Sequence, residues 1–462
     1  MKMLKKVLVA AALGLTVMAG RAEAPRYVFY YIGDGMGMGP VMAAQTYYRT
    51  VLGSEQPLTM LQLPVEGWCQ TWSASSTTTD SAAAGTAIAT GSKTRNGMLG
   101  MDADTTAVTS IATTLHEQGW GVGLVTSVAA DDATPGAYYA HVANRAMHRD
   151  IDMQFAASGF EFLGGAGLYG LNGDHHGEIA EAFVTNGVQL LCGPESVDLM
   201  DSRRVCLLNT EKGHVWNLGY TVDSIQDRLD LVQLTTLCLG QLEKYTPERF
   251  FMMVEGGNID HALHGNDGGA AVMEIINFDK ALDVAMEFYR QHPDETLIVV
   301  TADHDTGGLA MGNNTVKYSS HFDYLQHQRK SKEVFSEECK AMLRDRRVYT
   351  WDDMRAKLEA DFGLFNAIPV SEAEEQKLKD MFVSTFEKRN SEDQKTLYAS
   401  FDAFSVAVLH LVNEKAGYGF TSTSHTGNVV PLFAVGVGAD RFKGLNNNNE
   451  ITPTVLDIIN GK

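Results

Sequence analysis

The chain has 462 residues, 44% hydrophobic and 20% charged, a balance that excludes a disordered or fibrous protein and allows a sizeable core in one large domain with insertions or in two smaller ones. Its formal net charge of −20 argues against general binding to nucleic acid or to anionic membranes. The five cysteines, Cys69, Cys192, Cys206, Cys238 and Cys339, are too scattered for a disulfide framework or a thiolate zinc site, and only Cys192 with Cys206 invites a bridge.

At the N-terminus, Lys2, Lys5 and Lys6 precede an apolar run over 7–19 and small residues ending in Ala22-Glu23-Ala24. That is the pattern of a secretory signal peptide, and the run is shorter than the ~20 residues a bilayer span requires. Residues 1–24 therefore read as a cleaved leader and 25–462 as one catalytic domain, periplasmic or secreted and free of the membrane after cleavage.

Short β-rich runs follow at 27–32, 122–126, 250–254 and 297–301, each ending in a polar or glycine-rich turn. Between them, 225–242 and 270–289 repeat apolar residues at three- and four-residue spacing, as amphipathic helices do. Strands alternating with helices predict an α/β fold with a mainly parallel central sheet covered by helices on both faces. Residues 309–420 are richer in charge and mostly helical in pattern, and read as an insertion. Because it leaves from the catalytic edge, it is either a crown or lid that narrows access or a peripheral elaboration. The asparagine tract at 446–449 reads as a surface loop.

Ligands of open parallel sheets bind beyond the carboxyl ends of the strands. Three predicted strands deliver metal-ligand types to that edge: Asp34 in Gly33-Asp34-Gly35-Met36-Gly37, Glu255 in Val254-Glu255-Gly256-Gly257, and Asp303-His304 in Thr301-Ala302-Asp303-His304-Asp305-Thr306. Alone, Asp34 could be a turn residue and Asp303 a helix cap; their convergence is what points to metal. Asp260 and His264, four residues apart, share one face of a helical turn and could reach one ion. His425, in Ser424-His425-Thr426-Gly427 ahead of an apolar run at 432–437, offers a third ligand. His261 is either a support for these groups or a bystander.

Ser81 precedes the alanine-rich run Ala82-Ala83-Ala84-Gly85-Thr86-Ala87, which reads as a helix whose N-terminus suits an incoming phosphate. Asp80 or Ser81 could equally serve only as the helix cap. A serine hydroxyl needs a base or a metal to become a nucleophile. No histidine is near in sequence, whereas the carboxylate and imidazole inventory suits two Zn2+ ions and one harder Mg2+ ion.

The ordered set of motifs resembles the alkaline phosphatases: Tyr31-Ile32-Gly33-Asp34-Gly35-Met36-Gly37, Thr79-Asp80-Ser81-Ala82-Ala83, Asp132-Ala133-Thr134-Pro135 with Asn144-Arg145, Val254-Glu255-Gly256 with Asp260 and His264, Thr301-Ala302-Asp303-His304, and Ser424-His425-Thr426-Gly427. The resemblance implies hydrolysis of small-molecule phosphate monoesters through a phosphoserine on Ser81. It implies one zinc on Asp260, His264 and His425, and a second on Asp34, Asp303 and His304. Magnesium would sit on Asp34, Thr134 and Glu255, with Asp132 acting through water, while Arg145 grips the phosphate. A homodimer is the habit of that family. Sulfatases on related scaffolds need a Cys/Ser-x-Pro-x-Arg context, which the alanines after Ser81 exclude. A phosphodiesterase usually carries threonine as its nucleophile, and a non-enzymatic metal or phosphate binder would not need the complete set.

Overall fold

The computed structural model describes residues 24–462 except 225, 226 and 346; the expected leader, apart from its last residue, lies outside the described residues. Eight strands, β1 (Tyr27–Gly33), β2 (Val65–Gln70), β3 (Gly121–Thr126), β4 (Phe162–Gly165), β5 (Val188–Cys192), β6 (Arg204–Leu208), β7 (Phe250–Glu255) and β8 (Thr296–Ala302), join Val430–Gly436 and Gly444–Asn447 in one ten-stranded sheet. Across the sheet the order is Gly444–Asn447, β2, Val430–Gly436, β8, β1, β7, β3, β4, β6, β5. Val430–Gly436 runs antiparallel to β2 and β8, and the other pairings of the sheet are parallel.

β1 shows why the run Tyr-Val-Phe-Tyr-Tyr-Ile has no polar alternation. All seven residues are buried because both faces of the strand are covered. Successive side chains point to opposite faces: the Tyr30 hydroxyl reaches Thr452 in the helix Ile451–Ile459, and the Tyr31 hydroxyl donates to the Ala281 carbonyl in the helix Gly268–Gln291. The expected mainly parallel sheet with helices on both faces is present.

Three local expectations need correction. The helix expected from 225 begins at Leu231 and runs to Tyr245, because the Asp230 carboxylate accepts from the Gln233 amide while the Gln233 side chain accepts from Asp230, fixing an N-cap there. Cys192 and Cys206 do not bridge: on the paired strands β5 and β6, Cys192 faces Leu208 and Cys206 faces Leu190, so the two thiols are offset along the strands and both are free. The asparagine tract is no loose loop. Asn446 and Asn447 complete the edge strand Gly444–Asn447, and buried Asn448 accepts from Lys93 Nζ.

The charged region at 309–420 forms a largely helical layer of its own, with helices Lys332–Arg344, Trp351–Phe362, Glu372–Phe382 and Ala403–Ala416. Phe335, Phe362, Phe382, Phe386 and Phe404 meet edge to face or tilted in a satellite core. Two short antiparallel pairs clamp its neck: Ala310–Met311 with Tyr418–Gly419, and Asp305–Thr306 with His425–Thr426. The long excursion thus leaves and returns at one point on the sheet edge. No described helix is long and apolar enough to cross a membrane.

Candidate active site

Four adjacent strands, β8, β1, β7 and β3, end at the same edge and hand over Asp303 and His304, Asp34, Glu255, and the loop to Asp132 and Thr134. His425 precedes its strand and would sit at the opposite edge if that strand were parallel. The reversed direction of Val430–Gly436 is what brings it to the carboxyl edge. The turn after β1 must also let the other groups in. Gly35 has φ +69°, and a Cβ there would lie 2.7 Å from Asp260 Oδ1 and 2.8 Å from Thr306 Oγ1, so glycine is required on both counts.

Ser81 is the first residue of the helix Ser81–Thr90, and Asp80 is its cap: Asp80 Oδ1 accepts from the Ala83 amide at 2.9 Å and Oδ2 from the Gly97 amide at 2.8 Å. The carboxylate does the capping, which leaves the Ser81 hydroxyl free. Buried Ser81 places Oγ 3.2 Å from His304 Nε2, a histidine distant in sequence and adjacent in space. Arg145 donates to Asp132 Oδ1 at 2.6 Å and lies 3.9 Å from Asp80 Oδ2. Two carboxylates thereby hold its guanidinium beside Asp80, the residue that precedes Ser81.

The histidine tautomers follow from their outer nitrogens. His264 Nδ1 faces the Thr423 carbonyl at 2.6 Å and His425 Nδ1 the Thr79 carbonyl at 2.8 Å, so each of these nitrogens carries the proton. His304 Nδ1 faces Thr306 Oγ1 at 3.2 Å, and that hydroxyl spends its own proton on Asp260 Oδ1. All three Nε2 atoms are then bare lone pairs turned inward. His264 Nε2 lies 3.0 Å from His425 Nε2 and 3.3 Å from Asp260 Oδ2, and His304 Nε2 lies 3.3 Å from both Asp34 Oδ1 and Asp303 Oδ2. The ligand atoms of Asp260, His304 and His425 lie within 4.8 Å of one another, and so do those of Asp34, Asp303 and His304. Facing lone pairs and carboxylate oxygens repel unless a cation lies between them.

The unsatisfied atoms agree. Asp34 Oδ1, Asp260 Oδ2, Asp303 Oδ2 and Thr134 Oγ1 are buried without a hydrogen-bond partner, a costly state for polar atoms unless they ligate a metal. Burial, then Asp303 and the other neighbouring acids, pushes the Asp34 carboxyl well above its ordinary range. Burial raises Asp303 to about 7 and Glu255 to about 8, although Thr126 donates to Glu255. The nitrogen-bearing groups suit zinc, and the oxygen-only group of Asp34, Thr134, Glu255 and Asp132 suits magnesium. The two clustered groups, Asp260 with His304 and His425, and Asp34 with Asp303 and His304, carry donors that fit a divalent metal ion.

A sequence model of the family described as "Alkaline phosphatase" matches residues 26–162 and 217–460. The chain belongs to the alkaline phosphatase family. Alkaline phosphatase 4 of Bacillus subtilis is 29% identical over 450 residues, covering 94% of this chain and 88% of that protein. The crystal structure of a cold-active alkaline phosphatase from a psychrophilic Shewanella superposes with a TM-score of 0.78 at 27% identity, covering 94% of this chain and 99% of the other. A Thermus thermophilus alkaline phosphatase shares the fold, with a TM-score of 0.79 at 23% identity over 99% of this chain and 96% of that one. As a family member, this chain is a phosphoric monoester hydrolase. The stretch 163–216, which carries β5 and β6 at the sheet edge, falls outside the family match, whereas 309–420 falls inside it.

All eleven expected site residues, Asp34, Ser81, Asp132, Thr134, Arg145, Glu255, Asp260, His264, Asp303, His304 and His425, gather at this edge. Sequence reasoning missed Thr306, which fixes two ligands at once, and Tyr398 of the insertion, whose hydroxyl reaches Arg145 Nη2 at 3.5 Å. Thr306 had a signal, since it stands two residues after His304; Tyr398, in a charged surface-like stretch, had none. The His261 ring lies against that of Tyr398, tilted by 35° with centroids 4.0 Å apart.

Proposed function

We propose that the site hydrolyses phosphate monoesters to an alcohol and inorganic phosphate through a phosphoserine on Ser81. The observation that carries this reading is the Ser81 hydroxyl, left out of the helix cap and set 3.2 Å from His304 Nε2, while Arg145 lies 3.9 Å from the neighbouring Asp80 carboxylate. Asp260, His264 and His425 would hold one zinc, and Asp34, Asp303 and His304 the second. Asp34, Thr134 and Glu255 would hold magnesium, with Asp132 through water. Bound divalent cations supply positive charge that makes the serine hydroxyl acidic and neutralises charge developing on the reacting phosphoryl group.

The chain's own groups do the rest. With Ala83 engaged by the Asp80 cap, the Ser81 and Ala82 amides at the start of the helix Ser81–Thr90 are left to orient the phosphate oxygens together with Arg145. Ser81 Oγ, as the alkoxide, attacks phosphorus, and the bond to the alcohol oxygen breaks in line with it. Water then attacks the phosphoserine, which returns the Ser81 oxygen and releases inorganic phosphate. Asp80 and Asp132 keep Arg145 facing the phosphate throughout. We also propose a periplasmic or secreted location, supported by the leader pattern at 1–24.

The test is turnover of a chromogenic phosphomonoester beside its diester and sulfate analogues, with and without chelator. Ser81→Ala is expected to lose monoester turnover by more than about 10³-fold with metal content near that of the unmodified protein. Wild-type turnover in that variant would overturn the nucleophile.

A further inference from the structure

The hairpin 394–401 leans over the site from the insertion, its strands Gln394–Lys395 and Ser400–Phe401 paired antiparallel. Its tip carries two groups of different chemistry. The Tyr398 ring is held between His261, at 4.0 Å, and His264, at 5.3 Å edge-on, which fixes where the phenol oxygen sits. That oxygen accepts from Arg145 Nη2 at 3.5 Å, and among the described residues its own proton has no acceptor. A hydroxyl that borders the phosphate-gripping guanidinium with a proton to give is placed to serve an anion. Leu397, next in the chain, is 58% exposed and lines the cleft whose other walls include His264, His425, Asp80 and Asn96. An exposed leucine on a polar rim is an apolar contact waiting for a ligand.

The base of the hairpin is anchored from below. Buried Lys332 donates to the Gly265 carbonyl at 2.8 Å and to the Gln394 side chain at 3.0 Å, with its ammonium 4.4 Å from the centre of the Phe401 ring. The same cation therefore ties the end of the helix Asn258–His264 to the base of the hairpin whose tip bears Tyr398. A surface decoration would not need such a tie to the ligand helix.

We propose that this hairpin is the substrate-selecting wall of the site: Tyr398 donates a hydrogen bond to the transferred phosphate beside Arg145, and Leu397 packs against the alcohol part of the ester. The preferred substrates are monoesters with an apolar or aromatic group near the phosphate. This rests on the monoester reading of the site.

Two variants of the metal-loaded protein separate the roles. Tyr398→Phe keeps the ring on His261 and removes only the hydroxyl. It is expected to weaken competitive inhibition by inorganic phosphate, and to raise KM for 4-nitrophenyl phosphate, by about tenfold to a hundredfold with kcat within about twofold, the effect of one lost hydrogen bond to a charged group. Leu397→Ala is expected to leave phosphate inhibition as it is and to raise KM for 4-nitrophenyl phosphate by about threefold, while KM for methyl phosphate stays put.

Phosphate inhibition in Tyr398→Phe equal to that of the unmodified protein would overturn the phosphate contact. Equal effects of Leu397→Ala on aryl and methyl esters would overturn the leaving-group contact. A parent protein that neither binds phosphate by calorimetry nor turns over either ester fails at the monoester reading itself, and the hairpin proposal falls with it. That outcome differs from a parent active on both esters with inert hairpin variants.

Discussion

Thr306→Val tests whether the inward lone pairs are a metal-holding device. Valine matches threonine in shape and removes one oxygen, which at present accepts from His304 Nδ1 and donates to Asp260 Oδ1. Thr306 is fully buried, so no water replaces it, and the variant leaves an imidazole N–H and a carboxylate oxygen unserved. Hydrogen bonds to charged groups are worth about 1.5–3 kcal/mol each, and groups that orient metal ligands typically contribute about 10–100-fold in affinity. Since 1.4 kcal/mol corresponds to about tenfold, one of the two bonds alone accounts for a loss of one to two powers of ten in zinc affinity, and that is the expected minimum. The assay is competition for zinc against a chromophoric chelator, with melting of the metal-free protein measured alongside to separate binding from folding. Thr306→Ser keeps the oxygen and should bind zinc within about threefold of the parent. A Thr306→Val protein that folds normally and holds zinc as Thr306→Ser does would refute the tautomer argument.

Two other outcomes are expected. Arg145→Ala should weaken inhibition by inorganic phosphate by about 10²-fold, as the loss of a two-pronged charge-assisted contact does; an unchanged inhibition constant would remove Arg145 from the phosphate site. Glu274 lies away from the metal ligands and is pushed up to about 7 by burial. Asn258 Oδ1 beside it has no partner, and a protonated Glu274 can supply one. Below the ordinary 4.5 both folded and unfolded chains hold this proton. As pH rises from there through 7 the unfolded chain has released it and the folded one has not, so stability from this group is lost over that window. Glu274→Gln should therefore flatten the decline in melting temperature between roughly pH 4.5 and 7, and identical melting profiles would contradict the shift.

The sheet was legible because burial on both faces leaves its central strands almost purely apolar, as in β1 and β8, and because each ends in a ligand-type residue. Register was harder to read. Nothing local marks Val430–Gly436 as reversed, since direction is decided by which neighbours it enters between. The helix start at Leu231 was misjudged because apolar periodicity continued upstream of a cap that only the Asp230–Gln233 pair reveals. At the site, residues that bind metal through their chemical type were visible, whereas Thr306 and Tyr398 act through position alone. The contact between Tyr398 and Arg145 spans 253 residues of sequence separation, and no pattern at that distance can be read along the chain.

The reversed strand also has a consequence in time. His425 reaches the cluster only once Val430–Gly436 has threaded between β2 and β8, so a chain growing from its N-terminus lacks one of the three groups around Asp260 until nearly all of it has been made. Folding and metal capture are thus put in sequence: the scaffold of parallel strands can form early, and the ion that needs His425 must wait for the last strand but one. A chain cut short anywhere before that strand would keep Asp34, Asp303 and His304 together and lack His425 beside Asp260, so the two ligand groups would be completed at different points of synthesis.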